Sequence, residues 1–230
     1  MAATNGMRSA VKVGRPRANP RPTDLEPYEE ILDASAQLFS TVGYTTTTTR
    51  EIADAVGLRQ GSLFHYFARK EDILAELLDR TVEPATAFLA RLAKAQQPPD
   101  LKLFTLARRD VDNLCSGPHN LAKLQLLPEA RMGRFEDFWA KRARLRRGYR
   151  ELVRRAMADR QLTPDDPELA TDLIFGLVES VITWYERGGP RRPDDVAVVV
   201  ATAGLRALGA PGRRLTTFGP RSGALLASLV

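Results

Sequence analysis

The side chains best suited to bind a ligand are cations, and they are distributed unevenly along the chain. The 230 residues include 34 Lys and Arg against 28 Asp and Glu, which gives a net charge of +6. Residues 1–23 contain no acidic residue but several basic ones: Arg8, Lys12, Arg15, Arg17 and Arg21. Guanidinium and ammonium groups bind phosphate oxygens through charge-assisted hydrogen bonds. The sequence therefore favours a polyanionic partner for the N-terminal end.

Residues that commonly perform catalysis or hold metals are few. Cys115 is the single cysteine, and His65 and His119 are the two histidines, so the sequence has no Cys/His cluster at zinc-ligand spacing. It contains neither a Walker motif nor a dinucleotide-binding glycine pattern. These observations argue against an enzyme and predict no catalytic residue, metal or cofactor. A helical ligand carrier or scaffold remains an alternative.

Composition predicts a soluble, cytoplasmic protein. Hydrophobic residues make up 43% and charged residues 27% of the chain, as in globular proteins that bury a core. A lone cysteine fits a reducing compartment, and the N-terminus lacks the apolar core of a secretory signal. No stretch reaches the roughly 18 apolar residues that a membrane span needs.

Hydrophobic periodicity near the N-terminus predicts three short helices. Apolar residues recur at helical spacing over about residues 27–42, and Gly43 ends that helix. Thr48 and Glu51 have the spacing of a capping box, and the helix that they begin closes at Gly57. The third short segment covers residues 62–67.

The remaining sequence predicts further helices and no convincing strand pair. One helix begins at Lys70 and is expected to end before Pro84. Beyond Pro84, Pro and Gly residues separate candidate helices at about 85–96, 100–115, 119–126, 134–160, 166–187 and 193–208. Residues 198–200 are β-prone valines among alanines, which we interpret as part of a buried helix. Residues 211–230 are expected to form a loose tail.

Two short helices joined by a tight turn are typical of a helix-turn-helix. Ala53 allows close helix approach and Gly57 permits the turn, while apolar residues fix the angle between the helices. We expect Leu63, Phe64 and Phe67 to lie in this core. The second helix then projects its N-terminal residues, as reading of the DNA major groove requires.

The residues across this segment closely resemble the tetracycline-repressor (TetR) family of transcriptional regulators. The resemblance covers about residues 27–80, a quarter of the chain, and depends on these positions: Gly43, Tyr44, Thr48, Arg50, Glu51, Ile52, Ala53, Val56, Gly57, Leu58, Gly61, Ser62, Leu63, Phe64, His65, Tyr66, Phe67, Lys70, Glu71, Asp72, Ile73 and Leu74. It implies a sequence-specific regulator, usually a repressor, that binds a palindromic operator in double-stranded DNA as a homodimer.

The resemblance also implies which residues contact DNA. Those expected to meet phosphates are Thr48, Thr49, Arg50, Tyr66 and Lys70, and one base is a further candidate contact for the first three. Those expected to face base edges are Gln60, Ser62 and His65. Gln60 can read adenine through two hydrogen bonds. His65 has solvent exposure as its alternative. Arg59 departs from the family pattern, because relatives often have a small N-cap residue there, and we expect it to contact DNA instead.

The N-terminal arm contains a second DNA-binding pattern. Residues 12–17 resemble the Gly-Arg-Pro core of an AT-hook, in which an extended backbone places arginines such as Arg15 and Arg17 in a narrow A·T minor groove. The alternative is a solvated basic tail that adds salt-sensitive, nonspecific affinity.

Deleting residues 1–22 should weaken operator binding and flatten its dependence on salt, because fewer phosphates are neutralised. Footprinting and affinity measurements over a salt series check this prediction. Unchanged affinity and an unchanged footprint would contradict it.

Four regions are expected: an arm at 1–23, a DNA-binding domain at 24–70, a helical effector-binding and dimerisation domain at 71–210, and a tail at 211–230. The helix at 166–187 is apolar almost all round, which indicates burial on both sides. The resemblance implies that the helices at about 166–208 pair with those of a second copy.

The resemblance also implies that a small-molecule effector binds among the helices of the second domain. Aromatic residues are the candidate contacts: Phe104, Phe135, Trp139, Phe175 and Trp184. The effector would favour a conformation in which the helix that begins at Lys70 moves the DNA-binding helices of the two copies out of register with the operator. The basic residues at 141–147 are either a solvated face or a binding site for an anionic group.

Overall fold

A computed structural model describes residues 25–229, in which all regular secondary structure is helical. The first three helices are α1 (Pro27–Thr41), α2 (Thr49–Ala55) and the single-turn α3 (Gln60–Leu63). The larger helices follow as α4 (Lys70–Lys94), α5 (Pro99–Ser116), α6 (Glu136–Ala158), α7 (Pro167–Trp184), α8 (Pro193–Ala207) and α9 (Gly212–Leu229). Three 3-10 helices connect α5 to α6: Pro118–Leu126, Pro128–Arg131 and Gly133–Phe135. The all-α prediction is confirmed.

The first three helices and the start of α4 enclose a small core of their own. Ile31, Ile52, Leu63 and Ile73 are each completely buried, one from each helix. Tyr28 stacks on Phe67 with ring centroids 4.9 Å apart, which packs α1 against the residues that follow α3. Burial of a large aliphatic side chain contributes about 1.5–3 kcal/mol. These contacts fix how α3 projects from α1 and α2.

Pro84 does not end a helix, contrary to the sequence prediction. α4 continues through it to Lys94, so Pro84 lies inside the helix. Proline removes one backbone hydrogen bond from a helix. Here the buried stripe continues on both sides of it through Val82, Ala85 and Phe88. Burial of that stripe keeps one helix running from Lys70, beside the first three helices, to Lys94.

The prediction of a loose C-terminal tail is wrong. Gly212–Leu229 form α9, which packs against α5 and buries Leu215, Phe218 and Leu225. Phe218 meets Phe104 edge to face, with centroids 5.5 Å apart. The helix is amphipathic, and its apolar stripe is the reason that it folds back onto α5.

An ion pair also fastens α9 to α5. The carboxylate of Asp100 is fully buried and accepts two hydrogen bonds from Arg214, at 2.6 Å from Nε and 2.8 Å from a terminal nitrogen. The Leu101 backbone N–H also donates to Asp100, at 2.9 Å. A buried carboxylate needs such partners because it has lost its water.

α8 packs closely against α5, α7 and α9. Its contact with α7 depends on Gly204, where a Cβ would lie 3.1 Å from Cγ1 of Ile174. The valines at 198–200 are helical as predicted, but they are not all buried, because Val199 is 66% exposed.

Candidate nucleic-acid interface

The start of α2 has the capping geometry that the sequence predicts. The Glu51 backbone N–H donates to Thr48 Oγ1 at 3.2 Å, and the Thr48 backbone N–H donates to Glu51 Oε2 at 2.7 Å. These hydrogen bonds lower the pKa of the Glu51 carboxyl. Gly57 then takes a φ of +66° at the turn, a conformation that suits glycine. The helix-turn-helix is therefore fixed by local hydrogen bonds and by one glycine.

The N-termini of α2 and α3 lie side by side and bring predicted contact residues together. Gln60 Nε2 donates a hydrogen bond to Thr49 Oγ1 over 2.9 Å. The second amide hydrogen and the amide oxygen of Gln60 are the pair that reading adenine requires, and this bond leaves both available. Gln60 is exposed and Ser62 is half-buried. Thr49 thus orients Gln60 toward the outside of the molecule.

The other predicted residues of this surface are exposed. Arg59 is the N-cap of α3 and makes no side-chain cap, so its guanidinium is available for another partner. Arg50 is 81% exposed on its side chain and only 3.9 Å from Asp54. Thr48, His65 and Tyr66 are also exposed. Arg15 and Arg17 of the arm lie outside the described residues.

Phe64 is a correction to the sequence prediction. Leu63 and Phe67 are buried as expected, but Phe64 is 45% exposed. α3 ends at Leu63, so Phe64 begins a turn and points away from the core that Leu63 enters. It adds an apolar side chain to the outer surface next to His65. The sequence gives no signal for this, because three aromatic or apolar neighbours at helical spacing normally share one face.

Lys70 has a different environment from the one that the resemblance implies. Its ammonium donates to the backbone oxygens of Tyr44 and Thr47, both at 2.7 Å, and to that of Thr45 at 3.4 Å. It also lies 4.4 Å from the centre of the Tyr44 ring. These contacts use its three N–H groups. Lys70 in this conformation holds the loop before α2, and the predicted phosphate contact stays a prediction.

Polar contacts from the 3-10 helices hold the DNA-binding segment. Ser40 Oγ donates to the His119 carbonyl at 2.8 Å, and His119 Nε2 is 2.9 Å from Asp33 Oδ1. Thr45 Oγ1 donates to Glu129 at 2.5 Å. Sequence reasoning missed these residues, because their partners lie about eighty positions away. They connect the 3-10 helices directly to α1 and to the loop before α2.

The aromatic residues predicted to contact an effector do not enclose a common cavity. Phe104 packs on α9, Phe135 is buried, and Trp139 donates its indole N–H to the Ala130 carbonyl. Trp184 is 43% exposed on the outer side of α7. Phe175 alone lines an interior space between α4, α5, α6 and α7, whose volume is about 20 Å³.

A polar cluster, buried at Asp110 and Tyr149 and half-buried at Arg142 and Glu179, surrounds that small space. Tyr149 donates a hydrogen bond to Asp110 Oδ2 at 3.0 Å. Arg142 pairs with Glu179 and lies over the rings of Trp139 and Phe175, at 5.5 and 5.1 Å. Burial raises the pKa of the Asp110 carboxyl to about 7, although the Tyr149 hydrogen bond lowers it. Asp110 is thus protonated more readily than an exposed aspartate.

Replacing Asp110 with Asn should make the free energy of unfolding less dependent on pH. The folded pKa of Asp110 lies above its unfolded value of about 4, so its protonation favours the folded chain below pH 4. That contribution decreases as the pH rises toward 7, by at most about 1.4 kcal/mol per pH unit. Denaturant unfolding of both proteins from pH 4.5 to 8 checks this.

The unfolding free energy of Asp110→Asn minus that of the original protein should therefore increase toward pH 7 and then level off. Exposed Asp137→Asn is the control and should leave the profile unchanged. A difference that is flat with pH for Asp110→Asn would contradict the assignment.

Among the basic residues at 141–147, Lys141, Arg142 and Arg146 pair with acids of neighbouring helices, while Arg144 and Arg147 are exposed. Lys141 bridges Asp79 and Glu83 of α4 at 2.7 and 2.8 Å. Arg146 pairs with Asp172 at 2.5 Å, and Arg142 pairs with Glu179, so both reach α7. These ion pairs therefore hold this part of α6 against α4 and α7.

α7 and α8 leave an apolar face exposed to solvent. Its large side chains are exposed by about half or more: Leu169 58%, Leu173 52%, Trp184 43% and Val199 66%. A groove with a volume of about 670 Å³ lies within this face, and its lining includes Leu177, Trp184, Val196 and Val200. A Cβ added at Gly176 would meet nothing within 4 Å, so the chain itself does not need glycine there. Exposed apolar patches of this kind mark interaction sites.

Two further properties concern the described residues alone. Between 25 and 229, no helix is long and apolar enough to cross a membrane. Within the same range, no three His, Cys, Asp or Glu side chains are grouped so that they could hold a metal ion.

Comparison with known proteins agrees with this architecture. The profile described as "Bacterial regulatory proteins, tetR family" matches residues 31–77, and "Tetracyclin repressor-like, C-terminal domain" matches residues 124–208. The crystal structure of Mycobacterium smegmatis AmtR is 40% identical, covers 91% of this chain and 98% of its own, and superimposes with a TM-score of 0.79.

Other relatives are more distant. The HTH-type transcriptional repressor KstR2 of Mycolicibacterium smegmatis is 24% identical over 177 residues, which span 73% of this chain and 83% of KstR2. AibR, crystallised with isovaleryl coenzyme A and operator DNA, is 20% identical, covers 78% of this chain and 98% of its own, and shares the fold with a TM-score of 0.67. The full-length similarity to AmtR and the matches to both domain profiles give one conclusion: the chain belongs to the tetracycline-repressor family of helix-turn-helix, DNA-binding transcriptional regulators.

Proposed function

We propose that this regulator is a cytoplasmic repressor that binds a palindromic operator as a homodimer and is released from it by a small-molecule effector. The single observation that carries the DNA-binding part is the exposed surface at the N-termini of α2 and α3. There Thr49 orients Gln60, and Arg59, Ser62 and His65 surround it. Arg50 and Tyr66 flank this surface at positions suited to phosphates.

Dimerisation is supported by the exposed apolar face of α7 and α8. α7 is apolar almost all round, yet its own chain covers only one side, and Leu169 and Leu173 stay exposed. A second copy related by a twofold axis would cover them and would place two reading heads on one operator. The proposed boundaries are a DNA-binding domain at 24–70 and an effector-binding and dimerisation domain at 71–210, with α9 added to the latter.

Selection of bound DNA from a random pool tests this function. An inverted repeat among the selected sequences would support both the dimer and the helix-turn-helix. If no sequence is enriched over the pool, the regulator lacks the proposed specificity. A reporter with the selected site in its promoter then distinguishes repression from activation.

Replacing Gln60 with Ala should lower operator affinity and relax selectivity at one base pair of each half-site. A bidentate contact to adenine typically contributes about 1–3 kcal/mol of discrimination. Fluorescence anisotropy against the operator and against variants of that base pair measures both effects.

The exposed but peripheral Gln37→Ala, on α1, is the control and should bind as the original protein does. Equal discrimination by Gln60→Ala and the original protein would remove Gln60 from the base-reading set.

A further inference from the structure

A cavity lies where the DNA-binding helices meet the regulatory half of the chain. Its volume is about 400 Å³, within the range of small-molecule sites, whereas the interior space beside Phe175 has room for about one water. Its walls come from α1, α4, the end of α5 and the 3-10 helix Pro118–Leu126. A ligand here would touch the DNA-binding domain directly.

The lining is mainly apolar with an acidic side. Leu32, Leu77, Leu121 and Ala122 supply apolar wall. The charged groups are the carboxylates of Glu29 and Asp33 and the single guanidinium of Arg80.

Arg80 is already held by two carboxylates. It donates two hydrogen bonds to Glu29, at 2.7 and 2.8 Å, and a third to Glu76 at 3.2 Å. An anion entering the cavity would have to displace one of them. The Glu29 carboxyl is committed to this pair, which lowers its pKa.

Asp33 is the carboxylate that retains binding capacity. Its Oδ1 is 2.9 Å from His119, and half of its side chain is exposed. A carboxylate accepts several hydrogen bonds, and a single imidazole uses only one of its positions. The charge balance of the lining is therefore negative, and its free acceptor is at Asp33.

We infer that this cavity binds a small organic cation with an apolar body, whose ammonium group pairs with Asp33, and that its occupancy weakens operator binding. The second part of this inference, the weakening of operator binding, rests on the proposed function. The wall at Pro118–Leu126 is built from 3-10 turns, whose hydrogen bonds are weaker than those of an α-helix, so it is the wall that we expect to shift. The same helix carries His119, which ties it to Asp33 and Ser40 of α1. A cation paired with Asp33 draws charge from the carboxylate and so weakens its hydrogen bond to His119.

Binding of three matched probes tests the site without DNA. 4-Phenylbutylamine, 4-phenylbutanol and 4-phenylbutyrate share one apolar body and differ in charge, and calorimetry or ligand-detected NMR gives their affinities for the full chain. The amine should bind at least tenfold more tightly than the butyrate. Equal affinities, tighter binding of the butyrate, or no binding of the amine would overturn the inference.

Three variants locate the site. Ala122→Phe should fill the cavity and lower the amine affinity at least tenfold. Asp33→Asn should remove the preference for the amine while leaving the alcohol unchanged. His119→Asn, which breaks the tie to Asp33 but keeps the carboxylate and suits the positive φ of this position, should keep the preference. Amine binding that is insensitive to both Ala122→Phe and Asp33→Asn would place the probe elsewhere and overturn the assignment.

Operator affinity measured with and without saturating amine tests whether occupancy of the cavity weakens DNA binding. We expect a decrease of about 5- to 150-fold, the usual range of allosteric coupling. Unchanged operator affinity with the amine bound would reject effector action and leave the binding site. Failure of the proposed function is distinguishable, because the protein would then bind no specific DNA even without a probe.

Discussion

Val199→Glu should yield a folded monomer whose operator affinity is lower by two orders of magnitude or more. Val199 is the most exposed large apolar residue on the α7–α8 face, and a twofold interface would bring two new carboxylates into one desolvated region. A monomer has one reading head, and linking two binding modules typically increases affinity 10²- to 10⁴-fold. Light scattering after size exclusion gives the mass, and anisotropy gives the affinity.

Met132→Glu is the matched control for Val199→Glu. Met132 is 61% exposed but lies on the connection between α5 and α6, away from the proposed interface. It should stay dimeric and bind the operator normally. A dimeric Val199→Glu protein with normal affinity would contradict the proposed interface.

Arg214→Ala should destabilise the protein by about 3 kcal/mol. It leaves the buried Asp100 carboxylate without a counter-ion, and breaking a buried pair typically costs about 3–5 kcal/mol. We expect the lower end because the Arg214 side chain is 35% exposed, so water reaches the vacated site. Denaturant unfolding at neutral pH measures the change.

The double variant Arg214→Ala with Asp100→Asn should recover much of that loss, because it removes the unpaired charge as well. Arg213→Ala is the control, since Arg213 is exposed on the same turn of α9 and should change stability by less than about 0.5 kcal/mol. An Arg214→Ala protein as stable as the original would mean that the Asp100–Arg214 pair contributes little to holding α9 on α5.

The helix-turn-helix was predictable from sequence because its determinants are local. Thr48 and Glu51 lie three residues apart, and Gly57 marks the turn within the same short segment. The side chains around α3 were harder to assign. With one helical turn, the pattern cannot separate a buried Leu63 from an exposed Phe64. Lys70 finds carbonyl partners 23 to 26 residues earlier, beyond the reach of spacing arguments.

The helices from α4 onward were less predictable, because long-range packing decides their arrangement. Pro84 is a strong local stop signal, yet the buried stripe of α4 outweighs it. α9 was missed because its partners, Asp100 and Phe104, are more than a hundred residues away. The residues predicted to contact an effector are aromatic and recur at helical spacing. That pattern is equally typical of side chains packed in a core and of side chains that line a cavity. The cavity of about 400 Å³ was not predictable either, because it forms where α1, α4, the end of α5 and the 3-10 helix Pro118–Leu126 come together in the fold.

The pairing of α6 with α4 and α7 changes how the charge of this protein bears on DNA binding at different ionic strengths. Lys141, Arg142 and Arg146 contribute to the net charge of +6, yet carboxylates neutralise each of them locally. Each cation that reaches a phosphate releases counterions. It contributes about 0.9 to the slope of log affinity against log salt concentration. The slope should therefore follow the number of basic residues in the arm and around α2 and α3, and it should be insensitive to neutralising substitutions of Lys141, Arg142 and Arg146.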